Sequence, residues 1–203
     1  MALESILVRP VRPDDAAALA RMLARCSPRT RYERFHGVVE SIPAEYLRRC
    51  VAGDRQEARV AELVTGELAG LASTGPVPGE PGVRELGVLV EDRWQRKGIG
   101  RLLAADLFAH AASTGVRLVR LELCRLRPDL LDYVVTHLPV ASRLTDGCDV
   151  TVDVTVDETV GLAVDLTVDL AVDLSVPPLR SAPVTAPPPR SSAGRRPGAP
   201  ART

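Results

Sequence analysis

The apolar positions of this chain recur with two periods, and each change of period marks an element. Ile6 to Val11 alternates and predicts a first strand. Pro13-Asp14-Asp15 then opens a helix over Ala16 to Cys26, because aspartates suit the free N–H groups of a first turn. Ser27 to Gly37 is basic, has no apolar period and reads as a connection. Ser41 and Pro43 open a second short helix through about Val51. Ala58 to Val64 and Glu67 to Thr74 read as a hairpin turning near Thr65-Gly66. Gly75 to Gly82, rich in Pro and Gly, is loop. Leu86 to Val90 is an apolar strand that runs into a polar turn, Glu91 to Trp94. Beyond it Ile99, Leu102, Leu103, Leu107 and Phe108 recur near helical spacing until Gly115. Val116 to Leu123 predicts another strand, and Pro128 to Leu138 a helix closed by Pro139.

The last quarter of the chain behaves differently. From Val152 to Val176 every even position is apolar except Glu158, the period of a half-buried strand. About 25 residues at roughly 3.3 Å each would span ~80 Å, too long for one strand. A fold-back is expected at Asp157 to Gly161, so that the first half supplies the last two strands. Val164 to Val176 repeats Val-Asp-Leu units almost verbatim and reads as an extension of that hairpin, its aspartates guarding against aggregation. Pro177 to Thr203 has no hydrophobic period and is expected to be disordered. The expected organisation is a catalytic domain over 1–160, a β-prone extension over 161–176 and a tail over 177–203.

Basic and acidic residues balance at 26 each, so no global field calls for nucleic acid or membrane. Aromatic residues are 3% of the chain, too few for a base-stacking surface. Met1 to Pro10 holds no apolar core of signal-peptide length. Cys26, Cys50, Cys124 and Cys148 are widely spaced, which suits free thiols in a reducing cytoplasm. No spacing with His36, His110 or His137 suggests a metal. The expected localisation is therefore cytoplasmic, with no metal cofactor.

The candidate chemistry lies between the Leu86–Val90 strand and the helix after it, in Gln95-Arg96-Lys97-Gly98-Ile99-Gly100. Free N–H groups at a helix start, beside positive side chains and two glycines, form a cradle for a pyrophosphate. Gly98 and Gly100 let phosphate oxygens approach the backbone, and Arg96, Lys97 and Arg101 add charge. A dinucleotide fingerprint is excluded because its third glycine position is Leu103.

This strand, turn and helix resemble the Q/R-x-x-G-x-G/A signature of the GNAT superfamily of N-acetyltransferases. The resemblance implies an α/β (α+β) GNAT fold: a mixed sheet of six to seven strands flanked by about four helices. It implies acetyl-CoA as cosubstrate, held at Gln95, Arg96, Lys97, Gly98, Ile99, Gly100 and Arg101. Its pantetheine arm would pair with Val88, Leu89 and Val90 where the neighbouring strand splays away, and a backbone N–H near Val88 or Leu89 would meet the oxyanion. Acetyl transfer to an amine needs a base, and the resemblance places Glu85 there, with Glu122 as second choice. It places Tyr133 as the acid on the leaving thiolate, although the Asn-x-x-Ala and Gly-Phe landmarks of that segment are missing. Cys124 or solvent are alternatives.

Ser27 to Phe35 resembles the connection bordering the acceptor site in bacterial Pat-type protein-lysine acetyltransferases. Arg29, Arg31 and Arg34 would meet coenzyme phosphate or an acidic substrate, and Tyr32 and Phe35 would anchor the segment. The implied function is acetyl transfer from acetyl-CoA to a primary amine, foremost a protein lysine. The alternative is a non-catalytic acyl-CoA-binding regulatory module. The expected partners are acetyl-CoA, the amine acceptor and a second copy of the chain as a homodimer.

Overall fold

A computed structural model describes residues 6–53, 55–124, 127–147 and 149–157, apart from the side chain of Cys124. The elements run β1 (Ile6–Pro10), α1 (Ala16–Arg25), α2 (Pro28–Phe35), α3 (Ala44–Ala52), β2 (Glu57–Leu63), β3 (Leu68–Pro76) and β4 (Val83–Val90). After a one-turn 3-10 helix, Asp92–Trp94, come α4 (Ile99–Ser113), β5 (Leu118–Cys124), α5 (Pro128–His137), β6 (Val140–Asp146) and β7 (Asp149–Thr155). The sheet order is β1-β2-β3-β4-β5-β7-β6. Every described pair is antiparallel except β4–β5, which α4 connects as the crossover that parallel strands require.

The sheet separates two cores. One holds α4 and α5 against Leu86, Val119, Leu121, Val150, Val152 and Val154. Ile99, Leu103, Leu107 and Phe108 of α4 are almost wholly buried there, each worth roughly 1.5–3 kcal/mol of burial. The other holds α1, α3 and Phe35 of α2 against Val60, Leu71 and Leu89. Strand parity therefore decides which face each β4 side chain meets. Leu86, Val88 and Val90 face α4, whereas Glu85, Gly87 and Leu89 face the α1–α3 side.

Two elements differ from the sequence expectation. The basic connection is a helix, α2, which makes five helices among the described residues. Ser27 caps it by accepting from the Thr30 N–H, and Pro28 stands in its first turn. Its arginine-rich surface hid it, because tertiary hydrogen bonds rather than an apolar stripe hold it in place. The last hairpin also falls earlier than expected: β6 pairs with β7 about a turn at Gly147, whose φ is 53°. β6 is an edge strand exposed from Ala141 to Asp146, so it shows no apolar alternation. Only Val152–Thr155 of the alternating run lies in β7. The expected fold-back (beyond Asp157), the 161–176 extension and the 177–203 tail lie outside the described residues.

Candidate active site

β4 pairs with β5 only from Val83↔Leu118 to Leu86↔Leu121. Past that point β4 stays with β3 as far as Val90, and β5 stays with β7 as far as Cys124. The two central strands thus part at Gly87, leaving a gap that opens toward the start of α4. Four residues of β4, Gly87 to Val90, keep a ladder partner on the β3 side alone.

At the open end of the gap the backbone turns through two left-handed residues into α4. Arg96 has φ 61° and Gly98 φ 78°, left-handed conformations that turn successive N–H groups inward. Gly98 is the N-cap of α4, and no side chain caps that helix. A Cβ on Gly100 would meet only Val90 Cγ2 at 3.6 Å and Val88 Cγ1 at 3.7 Å, ordinary contacts. Packing therefore does not demand a glycine there, whereas an anion against the helix start does. These features fit a pyrophosphate.

The other cradle residues take distinct parts. Gln95 turns inward: its Nε2 donates to the Val90 carbonyl at 3.0 Å and to Thr30 Oγ1 at 3.1 Å, so it fastens the turn to β4 and α2. Lys97 Nζ lies 4.4 Å from the centre of the Trp94 ring. Ile99 is a core residue, and Arg101 lies in the first turn of α4. Glu91 and Asp92 shape the turn. Glu91 is buried between Arg25, at 2.8 Å, and Arg93, at 2.5 Å. Asp92 accepts from the Ser27 N–H (2.8 Å), Ser27 Oγ (2.7 Å) and Thr30 Oγ1 (2.9 Å). Partial burial opposes the Asp92 charge, but these hydrogen bonds outweigh it and hold the carboxyl below its usual range. The N-terminus of α2 is thereby tied to the cradle.

Beyond the parting point, on the α1–α3 face, lie the groups for acceptor chemistry. Glu85 is exposed, opposite Gly75 on β3 and Arg120 on β5. It has no ion-pair partner among the described residues, because Arg120 is engaged by Asp153 at 2.8 Å and Glu80 at 2.5 Å. Those bonds hold both carboxyls below their usual range. Glu122 follows the last β5 residue paired with β4, and its Oε2 lies 4.0 Å from His36 Nε2. His36 Nδ1 lies 3.8 Å from Asp149. Tyr133 is on the other face: it packs against the α4 core and stacks on His137 with ring centres 4.6 Å apart. Glu85 and Tyr133 therefore lie on opposite faces of the sheet.

The three arginines of α2 part company. Arg29 pairs with Glu33 at 2.6 Å, and Arg31 Nη1 donates to the Val39 carbonyl at 3.4 Å. Arg34 reaches the sheet, where its Nη2 donates to Tyr46 Oη at 2.9 Å and Ser73 Oγ at 3.2 Å. Phe35 meets Tyr46 edge-on and serves as the expected anchor. Tyr32, by contrast, is 53% exposed and anchors nothing. Tyr46, Ser73 and His36 escaped the sequence reading, since single polar residues dispersed along the chain carry no pattern. Gly87 did leave a signal, a glycine inside an apolar strand. A cleft of about 620 Å³ lined by Pro76–Arg84 and Thr114–Val116 lies at the far end of β4 and holds none of the expected site residues.

The family model "Acetyltransferase (GNAT) family" matches residues 18–126, more than half of the chain. No curated protein matches it. Among solved structures, the GNAT domain of S. lividans PAT is similar at 20% identity over 73% of this chain and 89% of that one, with a TM-score of 0.64. YncA of Salmonella typhimurium, a putative acetyltransferase solved with acetyl-CoA, has 20% identity over 76% and 95%, with a TM-score of 0.57. The PaiA N-acetyltransferase of Thermoplasma acidophilum, solved with coenzyme A, has 18% identity over 74% and 99%, with a TM-score of 0.54. Such likeness speaks for the fold, and the family match runs from α1 through β5, taking in residues 95–101 and the parting of β4 from β5. The chain therefore belongs to the GNAT family of acetyl-CoA-dependent N-acetyltransferases.

Proposed function

We propose that the protein transfers the acetyl group of acetyl-CoA to a protein lysine, with Glu85 as the base. The observation that carries this reading is the gap between β4 and β5 beside an uncapped helix start. The cradle would hold the pyrophosphate at the backbone of Arg96 to Arg101. The pantetheine arm would lie along Gly87–Val90, whose edge toward β5 has no ladder partner. A chain entering from the cradle runs out of gap at Gly87, since Leu86 and Leu121 are paired again. The thioester would thus stop beside Gly87, two residues along β4 from Glu85.

On the acceptor face Glu85, Glu122 and Asp149 are carboxylates without an arginine or lysine ion pair among the described residues. That surface favours a cationic acceptor such as a lysine ammonium. Glu85 would take the proton directly or through a water, leaving the amine lone pair free to attack. Ser27 to Phe35 resembles the acceptor-side connection of Pat-type protein-lysine acetyltransferases, and the GNAT domain of S. lividans PAT is among the similar folds. The cytoplasm, where acetyl-CoA and protein acceptors meet, is the proposed location. Thiol release from acetyl-CoA, measured across small amines, peptides and intact proteins, tests the reading. Turnover confined to small amines would overturn lysine as acceptor, and coenzyme binding without turnover on any amine would favour the regulatory module.

A further inference from the structure

We propose that Arg34, seated on Gly87, stabilises the negative charge that develops on the thioester oxygen during acetyl transfer; this rests on the function proposed above. Gly87 is the first β4 residue beyond the last β4–β5 pair, the point where a thioester entering through the gap comes to rest. Its missing side chain is replaced by the guanidinium. An ideal Cβ on Gly87 would lie 2.3 Å from Arg34 Cζ and 2.5 Å from each terminal nitrogen. No other side chain at position 87 leaves the guanidinium where it is.

Arg34 is fixed by neutral groups alone. Nη2 donates to Tyr46 Oη and Ser73 Oγ, which are themselves joined at 2.8 Å, and Gln56 Nε2 donates to Ser73 Oγ at 3.2 Å. Its Cζ lies 5.0 Å from the Phe35 ring centre and 5.5 Å from that of Tyr46. Nε is buried without a hydrogen-bond partner, and no carboxylate pairs with this arginine among the described residues. Arg9, Arg25, Arg59, Arg120 and Arg127 all have such a partner. A partly buried cation without counter-charge is unfavourable in the resting protein and is relieved when negative charge forms next to it. Because neighbouring groups already hold it in place, little reorganisation is needed at that moment.

The step balances. The amine, its ammonium proton given to the base, attacks the thioester carbon and forms the C–N bond, and the surplus proton that the nitrogen then carries passes to solvent. The carbonyl π pair moves onto oxygen, facing Arg34. When the pair returns, the C–S bond breaks and sulfur leaves as thiolate, to be protonated from the acid or from solvent. Arg34 thereby assists the oxygen while the carboxylates on the same face handle the proton.

The experiment measures thiol release and acetyl-CoA affinity for wild type, Arg34→Ala, Gly87→Ala and the double variant, with melting temperatures to confirm folding. Arg34→Ala is expected to lower kcat about 100-fold with affinity for acetyl-CoA unchanged. Gly87→Ala keeps the charge but occupies its seat, and is expected to lower kcat in the same way. The double variant is expected to be no slower than Arg34→Ala, and added guanidinium to restore part of the lost rate. A purely structural arginine would lower the melting temperature along with kcat and would show no rescue of kcat by guanidinium. The proposal is overturned if Arg34→Ala turns over like wild type, if the two substitutions multiply, or if the loss lies in acetyl-CoA affinity. If Arg34→Ala does not fold, Gly87→Ala alone decides by its kcat. A wild type that releases no thiol with any amine overturns the proposed function itself, a result distinct from an active wild type with an indifferent Arg34.

Discussion

The two halves of the site are built by opposite means. The coenzyme cradle is local: residues 91–101 in one stretch, acting mainly through backbone N–H groups at left-handed and helix-start positions. The proposed acceptor face is assembled from Arg34, His36, Tyr46, Ser73, Glu85, Gly87, Glu122 and Asp149, which six helices and strands bring together. A backbone site needs a specific local conformation, and its sequence signature is short and strict. A side-chain site needs only that certain atoms converge, and many sequences achieve that. Ser27, Thr30, Asp92 and Gln95 couple the halves, since the helix presenting Arg34 begins on the turn that forms the cradle.

Substitutions that separate binding from chemistry test this division. The largest effect is expected from Glu85→Gln, which should lower turnover by about two to four powers of ten at neutral pH while leaving acetyl-CoA affinity unchanged. Raising the pH should recover part of the loss, because free amine accumulates toward the lysine value near ~10.4. Wild-type turnover in Glu85→Gln alongside a crippled Glu122→Gln would transfer the role of base to β5. Gly98→Glu should act in the opposite sense. A left-handed φ of 78° strains any L side chain, and a carboxylate beside the phosphates repels them. Calorimetry should show affinity weakened by about 100-fold or more, roughly 2.7 kcal/mol, with the protein still folded. Unchanged affinity would move the pyrophosphate elsewhere.

Asp92→Ala probes the link between the halves. It strands the Ser27 and Thr30 donors, and solvent moderates the cost to about 1 kcal/mol of stability. Acetyl-CoA affinity and kcat should fall together and only a few-fold; an effect confined to one of them would show the halves to be independent. The smallest effect is the pH dependence of that same contact. Asp92 is held below its usual range in the fold, so its charge stabilises the protein above the unfolded value, near ~3.9. That contribution is lost as pH falls through the lower folded value. The stability difference between wild type and Asp92→Ala should therefore be constant from pH 7 to about 5 and narrow below about 4. A difference that grows with acid would mean the carboxyl is not held charged.

Most elements were legible because alternation and helical spacing report burial directly, as in β4 and α4. Two were not, for related reasons. β6 is an exposed edge that shows solvent on both faces, and α2 rests on capping and polar bonds rather than on an apolar stripe. Within the cradle the glycines were readable as to place, but the inward turn of Gln95 was not, since its partners Val90 and Thr30 meet only in the fold.

By itself the sequence determined the strand-turn-helix and the place of its glycines, because left-handed turns and helix starts are properties of a few consecutive residues. It also determined which β4 side chains share a face, through the two-residue period of a strand. Tertiary structure alone decided where β4 and β5 part. It alone set Arg34 on Gly87 and left Glu85 without the arginine opposite it, because Arg120 is held by Glu80 and Asp153. Charge and hydrogen-bond partners are chosen among atoms far apart along the chain, and which pairs form is known only when all competitors are in place.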